Sequence, residues 1–418
     1  MTTSRRRILA ATAASVALAA PAIRRAAAQQ AVTLDFPSWQ AEEAGISNWW
    51  RAVIARFEQQ NPGVRVNLFQ IPFAQFINQM TTRFAGNNPP DIVHLPTRNF
   101  ASFAAQDWLA PLDDRLRQTD VAQTWTGLRE EMVWDGKTQG ILLMGYGSIL
   151  FYNERLLNEA GLAVPTTPDQ FLSAIERLTR RDQGQFGFGA TTVEHPQILV
   201  DVGTWVTGLG LDWVEGGRYR FTDPRIVAAF DQYRRAIRFA PPGQSAEASR
   251  QLFVDGKIGF VRDGPWVWAA TQRANEALRP SLKIARLPFQ YVSGGTSNSL
   301  HMSSRLTGRK AELVWEFMKL VITPEMQEQF TVLSGAPAPR RGALSAAQAE
   351  RLPHLRIVNS AAEEARNLFP TLPVLRENYN EFARALAQAV MRLQSSDTPT
   401  APVLAALQAT LERQIPLR

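Results

Sequence analysis

Cysteine is absent from all 418 residues, which excludes disulfides, thiolate nucleophiles and cysteine metal ligands together. A chain of this length can bury a core large enough to stand without cross-links. Histidine is scarce: His94, His195, His301 and His354 lie far apart with no HExxH spacing, so nothing marks a zinc site. No GxGxxG, GxxxxGKS/T or GxSxG occurs, and the nucleotide and nucleophile-elbow chemistries those motifs serve have no foothold. Gly187-Phe188-Gly189 reads as a turn. Asp113-Asp114 and Glu130-Glu131 are adjacent carboxylates; neighbours on one element point in different directions, so they read as solvated surface rather than an acid/base pair. No catalytic constellation and no cofactor motif emerges. After the leader, no run reaches the ~18 uncharged apolar residues of a membrane span.

What is present begins with the first thirty residues, MTTSRRRILAATAASVALAAPAIRRAAAQQ. Arg5-Arg6-Arg7 precede an uncharged, alanine-rich run from Ile8 to Ala20, and Ala26-Ala27-Ala28 close the stretch. Charge, short apolar core and small residues in that order predict a secretory signal peptide over 1–28, cleaved near Ala28. The Ser4-Arg5-Arg6 start resembles twin-arginine signals. The mature chain is expected in the periplasm. The net charge of +7 includes five leader arginines and no leader acids, which leaves +2 for the rest. The basic balance is therefore a property of the leader, and nucleic acid is not an expected partner.

The remaining ~390 residues exceed one compact core, so two lobes are expected. Strands and helices alternate. Val32–Phe36 reads as a strand, and Ile46, Trp49, Trp50, Val53, Ile54 and Phe57 share one helical face. A strand VRVNLFQI, a helix PFAQFINQMTTRFAGN and a strand Asp91–Leu95 follow, the pattern of a parallel sheet with right-handed crossovers. ILLMGYGSILFYN reads as one strand-like stretch. Thr167-Pro168 with Gln170 predicts a capping box, and Asp223-Pro224 and Thr323-Pro324 start further helices. Ala240–Ser249 and Ser395–Pro402 read as loops.

Aromatics are plentiful: 11 Trp, 22 Phe and 6 Tyr. Trp49, Trp50 and Trp315 fall on apolar helical faces and read as core, and Trp108 as a loop anchor. Trp266 differs. The strand Ile258–Val261 runs into Asp263-Gly264-Pro265, a turn that cannot continue the strand and so projects Trp266 at its C-terminal end. Ligands of open α/β sheets bind at that edge, and an indole face there can stack on the C–H face of a sugar ring.

Five segments in order then resemble one family. They are FEQQNPGVRVN, NNPPDIVHLPTRNFASFAAQDWLAPLDD, GILLMGYGSILFYNERLLNEAGLAVPTTPDQF, FVDGKIGFVRDGPWVWA, and WEFMKLVITPEMQEQF with GAPAPRRGAL. Together they resemble the extracellular solute-binding proteins of bacterial ABC importers, in the carbohydrate-binding branch related to maltose-binding protein. Pro168-Asp169 stands where that family usually has Trp-Asp.

The resemblance implies a type II periplasmic-binding-protein fold of class α/β, with two discontinuous lobes around a cleft and a multi-strand hinge. It places the signal peptide at 1–28, one lobe at 29–143 plus 292–338, and the other at 144–291 plus 339–418. Crossings fall near Leu143–Ser148, Pro288–Ser297 and Gly335–Leu344. The ligand-facing residues it implies are Trp39, Gln40 and Glu42 after the first strand, and His94, Thr97, Arg98 and Asn99 after the third. Further on come Tyr146, Asp201, Trp205 and Trp266, then Gly294, Gly295, Thr296 and Asn298, and last Arg340 or Arg341 and Tyr379. The implied function is non-enzymatic: a monomer that holds a sugar or oligosaccharide and delivers it to permease subunits, without metal or cofactor. Two other readings stand beside it. One is the same fold with glycerol phosphate or another anionic solute, served by Arg98 and Arg340 or Arg341. The other is a secreted glycoside hydrolase using two of Glu42, Asp201 and Asp263.

Overall fold

The computed structural model describes residues 32–125 and 131–417; the leader reading therefore lies outside the described residues. From its start the chain forms β1 (Val32–Ser38), α1 (Ile46–Gln60), β2 (Val64–Gln70), α2 (Phe73–Ala85) and β3 (Ile92–Pro96). α1 buries Ile46, Trp49, Trp50, Val53 and Phe57 on one face, with Ile54 only half-buried. β1 and β2 pair in parallel through the whole of both strands.

The stretch read as one strand is two, β4 (Ile141–Gly147) and β5 (Ile149–Asn153), which belong to different sheets with only Ser148 between them. The chain continues as α3 (Pro168–Leu178), β6 (Phe186–Gly189), α4 (Ile198–Gly208), α5 (Ala246–Val254), β7 (Ile258–Asp263), β8 (Leu282–Arg286) and β9 (Ser293–Met302). β9 runs antiparallel to both β3 and β4, while β8, β5, β7 and β6 form a second sheet in that order. Buried apolar residues segregate accordingly. One cluster draws on Leu34 to Met144 and Leu300 to Ala336. Two others draw on Ile149 to Val292 and Leu355 to Ile415. The fold is two α/β lobes, each assembled from separate pieces of chain.

Crossing strands approach one another closely. The Ser148 amide donates to the Ser293 carbonyl at 2.7 Å, and a Cβ on Gly294 would sit 2.2 Å from the Tyr146 carbonyl oxygen. Only glycine permits that approach.

Several local readings change. Gly187-Phe188-Gly189 is strand β6 rather than a turn, because α3 lies against it: a Cβ on Gly187 would meet the Ile175 carbonyl oxygen at 1.8 Å. The capping box at Thr167 is half-formed. Thr167 accepts from the Gln170 amide at 3.3 Å, but Gln170 reaches back to the Thr166 amide instead. Ala240–Ser249 is partly helical, since Ser245 caps α5 by accepting from the Ala248 amide. The second loop likewise ends on the helix Thr400–Gln414. Among the described residues no helix is long and apolar enough to cross a membrane, and no group of three or more acidic or histidine side chains could hold a metal ion.

Candidate functional site

Between the lobes lies a cavity of about 490 Å³. Its first wall is the loop after β1. His94 on β3 is fully buried, its Nδ1 2.9 Å from the Ser38 hydroxyl, and burial holds it neutral, well below its usual range. The indole of Trp39 stacks on that imidazole at 4.1 Å and 9° and meets Phe76 edge-on. Gln70 at the end of β2 ties the loop down: its amide donates to the Trp39 carbonyl and its carbonyl accepts from the Glu42 amide. Gln40 accepts from the Asn298 side chain at 2.8 Å. Trp39, Gln40 and Glu42 thus reach the cavity, while His94 and Asn298 act behind them as supports.

The opposite wall comes from the second lobe. β7 ends at Asp263, which receives Arg250 of α5 through two hydrogen bonds, Nε to Oδ2 at 2.6 Å and Nη2 to Oδ1 at 3.2 Å. Asp263 also accepts from the Gly264 amide. The turn then lays the indole of Trp266 across Gly264, where any Cβ would lie 2.1 Å from the ring. Trp266 packs partly against clusters of both lobes, and Tyr146 meets it edge-on at 4.9 Å. His195 accepts from the Gln197 amide on Nδ1 at 3.1 Å, so Nε2 carries the proton and faces Glu247 at 3.5 Å.

Of the expected set, Trp39, Gln40, Glu42, Arg98, Tyr146 and Trp266 are brought to this cavity. Several others are placed elsewhere. Trp205 is 2 % exposed, packed among Phe171, Phe289 and Tyr233 in the second-lobe core; its helix turns that face inward. Asp201 is spent on an ion pair with Arg262. Arg340 pairs with Asp120, and Arg341 is an exposed side chain whose amide bonds the Thr124 carbonyl, so neither arginine lines the cavity. Gly295 adopts φ +152° beside Phe369 and Asn367; Thr296 follows it on β9, and Ser297 lines the cavity. Asn99 and Tyr379 border an adjoining cavity, and Asn99 donates to Asn380. Thr97 borders a third cavity.

Glu43, Phe73, His195, Gln197, Glu247, Arg250 and Ser297 also line the site, and sequence reading passed over them. Arg250 and Glu247 fall on the polar side of an unremarkable helix, and only the fold carries that side to the cleft. Glu43 had a weak signal in its neighbour Glu42. Burial pushes the Glu43 carboxyl up to about 7, partly offset by Arg250 and Gln40, and its Oε2 has no hydrogen-bond partner among the described residues.

A carboxyl raised on folding favours the folded state most at low pH and penalises it once ionised. Stability is therefore expected to fall as pH rises from about 4.5 through 7. Glu43→Gln should lack that fall and be more stable than the parent by ~1–3 kcal/mol at about pH 8, with little difference at about pH 4. Urea unfolding of both proteins at the two pH values checks this. Equal pH dependence in parent and variant would sink it.

Comparison with known proteins now has a geometry to rest on. The family model described as bacterial extracellular solute-binding protein matches residues 40–328. The diacetylchitobiose binding protein DasA of Streptomyces coelicolor is 24% identical over 319 residues, 71% of each chain. In fold, the chain resembles an ABC transporter solute binding protein from Thermotoga lettingae bound with alpha-D-tagatose, at a TM-score of 0.80 and 18% identity, over 92% of this chain and 99% of that one. It also resembles one from Agrobacterium radiobacter in complex with ribitol, at 0.78 and 18%, over 92% and 99%. With a family model spanning more than half its length and a two-lobed fold around one cleft, this chain belongs to the bacterial extracellular solute-binding proteins.

Proposed function

We propose that this protein is the substrate-binding component of an ABC importer, capturing a neutral sugar or polyol between its lobes. One observation carries the reading: the 490 Å³ interlobe cavity joins aromatic faces (Trp39, Phe73, Trp266) to amides and carboxylates contributed by both lobes. Rings serve the C–H faces of such a ligand and the polar groups its hydroxyls. Relatives that bind diacetylchitobiose, tagatose and ribitol support that ligand class. Glu42, Glu43 and Glu247 on the lining, against Arg98 and an Arg250 already engaged by Asp263, weigh against an anionic solute. A hydrolytic role has little support, since Asp201 and Asp263 are both committed to arginines. The proposal includes lobes at 29–143 plus 292–338 and 144–291 plus 339–418, hinge closure on the ligand, and delivery by a periplasmic monomer to permease subunits.

Thermal-shift screening of monosaccharides, disaccharides, polyols and glycerol phosphates tests it, because a ligand that binds only the folded state raises the melting temperature. A rise with a sugar or polyol and none with the phosphates is expected; a response confined to the phosphates overturns the reading. Export adds a second expectation. Arg5→Lys with Arg6→Lys should block delivery to the periplasm, since the twin-arginine route reads the arginine pair. Undiminished delivery of the double variant would show that another route is used.

A further inference from the structure

Glu43 stands on the first-lobe wall of the cavity and is held there by its backbone. Its amide donates to the Gln40 carbonyl at 3.3 Å, and its own carbonyl accepts from the Ser47 amide at 2.9 Å. Gly45 then turns the chain at φ +76°, where a Cβ would lie 2.3 Å from the Leu333 carbonyl oxygen and 2.9 Å from the Ala269 Cβ. Distant parts of the chain close in on the loop at that point, and only glycine fits.

The carboxyl held in this way is incompletely bonded. Gln40 gives its side-chain carbonyl to Asn298, so what it turns to Glu43 is its amide, a donor. The charged groups that face Glu43 come from the second lobe: Arg250 and Glu247 on α5, and Asp263 at the end of β7. Arg250 makes its two hydrogen bonds to Asp263, and Glu247 faces His195. Oε2 of Glu43 is left buried, with no hydrogen-bond partner among the described residues. Buried polar atoms are nearly always bonded, so an unmet carboxyl oxygen on a cavity wall calls for a donor that arrives with the ligand. A sugar or polyol hydroxyl is such a donor, and its bond to an ionised carboxylate is charge-assisted, about twice as strong as a neutral one.

We infer that Glu43 is a first-lobe acceptor for a ligand hydroxyl, and that the ligand drives a proton off the Glu43 carboxyl as it binds. The inference rests on the carbohydrate reading of the cleft. Without ligand, burial leaves the carboxyl half-protonated at about pH 7. The hydroxyl bonds the ionised form more strongly than the acid, so the carboxyl titrates lower in the complex and its proton passes to the buffer. Affinity therefore rises with pH through about 7 and levels off above about 8. The same bond relieves the penalty that ionised Glu43 places on the folded state.

Calorimetric titration with D-tagatose, ribitol, D-mannitol, maltose and diacetylchitobiose tests this, at about pH 7 in PIPES, HEPES and imidazole, which take up a proton with different enthalpies. For a probe that binds, the parent is expected to release about half a proton, read from the slope of binding enthalpy against buffer ionisation enthalpy. Affinity should rise about five- to tenfold from about pH 6 to about pH 8. Glu43→Gln keeps a neutral acceptor; it should stay within about tenfold of the parent at about pH 8 and lose both the release and the pH dependence. Glu43→Ala should bind more weakly than the glutamine variant, and at least about tenfold more weakly than the parent at about pH 8. A merely structural Glu43 would move the unfolding midpoints of both variants and leave the proton release in place. Release that persists in Glu43→Gln assigns the proton to another group, His195 first, and overturns the inference. So does a parent enthalpy independent of buffer, proton uptake in place of release, or an alanine variant that binds like the parent. A parent that binds none of the five probes overturns the carbohydrate reading itself, and the role of Glu43 falls with it.

Discussion

Asp201→Ala is expected to cost ~3–5 kcal/mol of folding free energy, the scale of breaking a buried ion pair from one side. The Asp201 and Arg262 side chains are 9 % and 4 % exposed. Asp201 Oδ2 also accepts from the Thr191 amide at 3.0 Å, so the carboxylate joins α4, the segment after β6 and β7. Burial pushes its pKa up, and Arg262 opposes that rise. Without the carboxylate, Arg262 keeps a charge in a dry site where its Nη1 already lacks a hydrogen-bond partner among the described residues. Asp201→Leu combined with Arg262→Met should recover most of the loss, because an apolar pair of similar volume carries no desolvation penalty. Urea unfolding measures both, with unchanged slope and a shifted midpoint. Asp201→Ala unfolding at the parent's urea concentration would refute the account. Because Asp201 lies behind the cleft and not on it, ligand affinity of the folded variant should change by no more than a few-fold.

Trp266→Ala should weaken binding of a sugar or polyol ligand by ~2–4 kcal/mol, roughly 30- to 1000-fold. Trp266 is the one tryptophan that packs partly against the clusters of both lobes while facing the cavity. Truncation removes a rigid apolar face at the centre of the site, together with the Tyr146 contact worth ~0.5–1.5 kcal/mol. The fold should lose less than the ~3–5 kcal/mol of a core tryptophan, since this ring is only partly buried and also lines the cleft. Calorimetry beside urea unfolding separates the two losses. A variant that binds like the parent and unfolds far more easily would make Trp266 a packing residue.

How far the residues reveal their own roles differs sharply across this chain. The helical face of α1 and the caps before Pro224 and Pro324 are local, and the structure has them where the sequence places them. The Asp-Gly-Pro turn is local too: glycine and proline alone end β7 and leave room for an indole over Gly264. That is why Trp266 could be singled out from sequence. Trp205 could not be told apart in the same way. Its helix is buried on every side, so no polar stripe indicates which face meets solvent. Arg340 illustrates the other difficulty, because its partner Asp120 lies 220 positions away and nothing local announces the pair.

Local chemistry along the chain therefore determined the alternation of strands and helices, the breaks between them, the dispensability of disulfides and the projection of Trp266. Tertiary structure decided which side chains share the cleft. Glu43, Arg250 and Glu247 become neighbours only when two lobes, each built from distant pieces of chain, face one another across strands that cross at Ser148 and Ser293. The physical reason is range. Backbone propensity and side-chain periodicity act over a few residues, whereas desolvation and ion pairing depend on whatever the fold brings within a few ångströms.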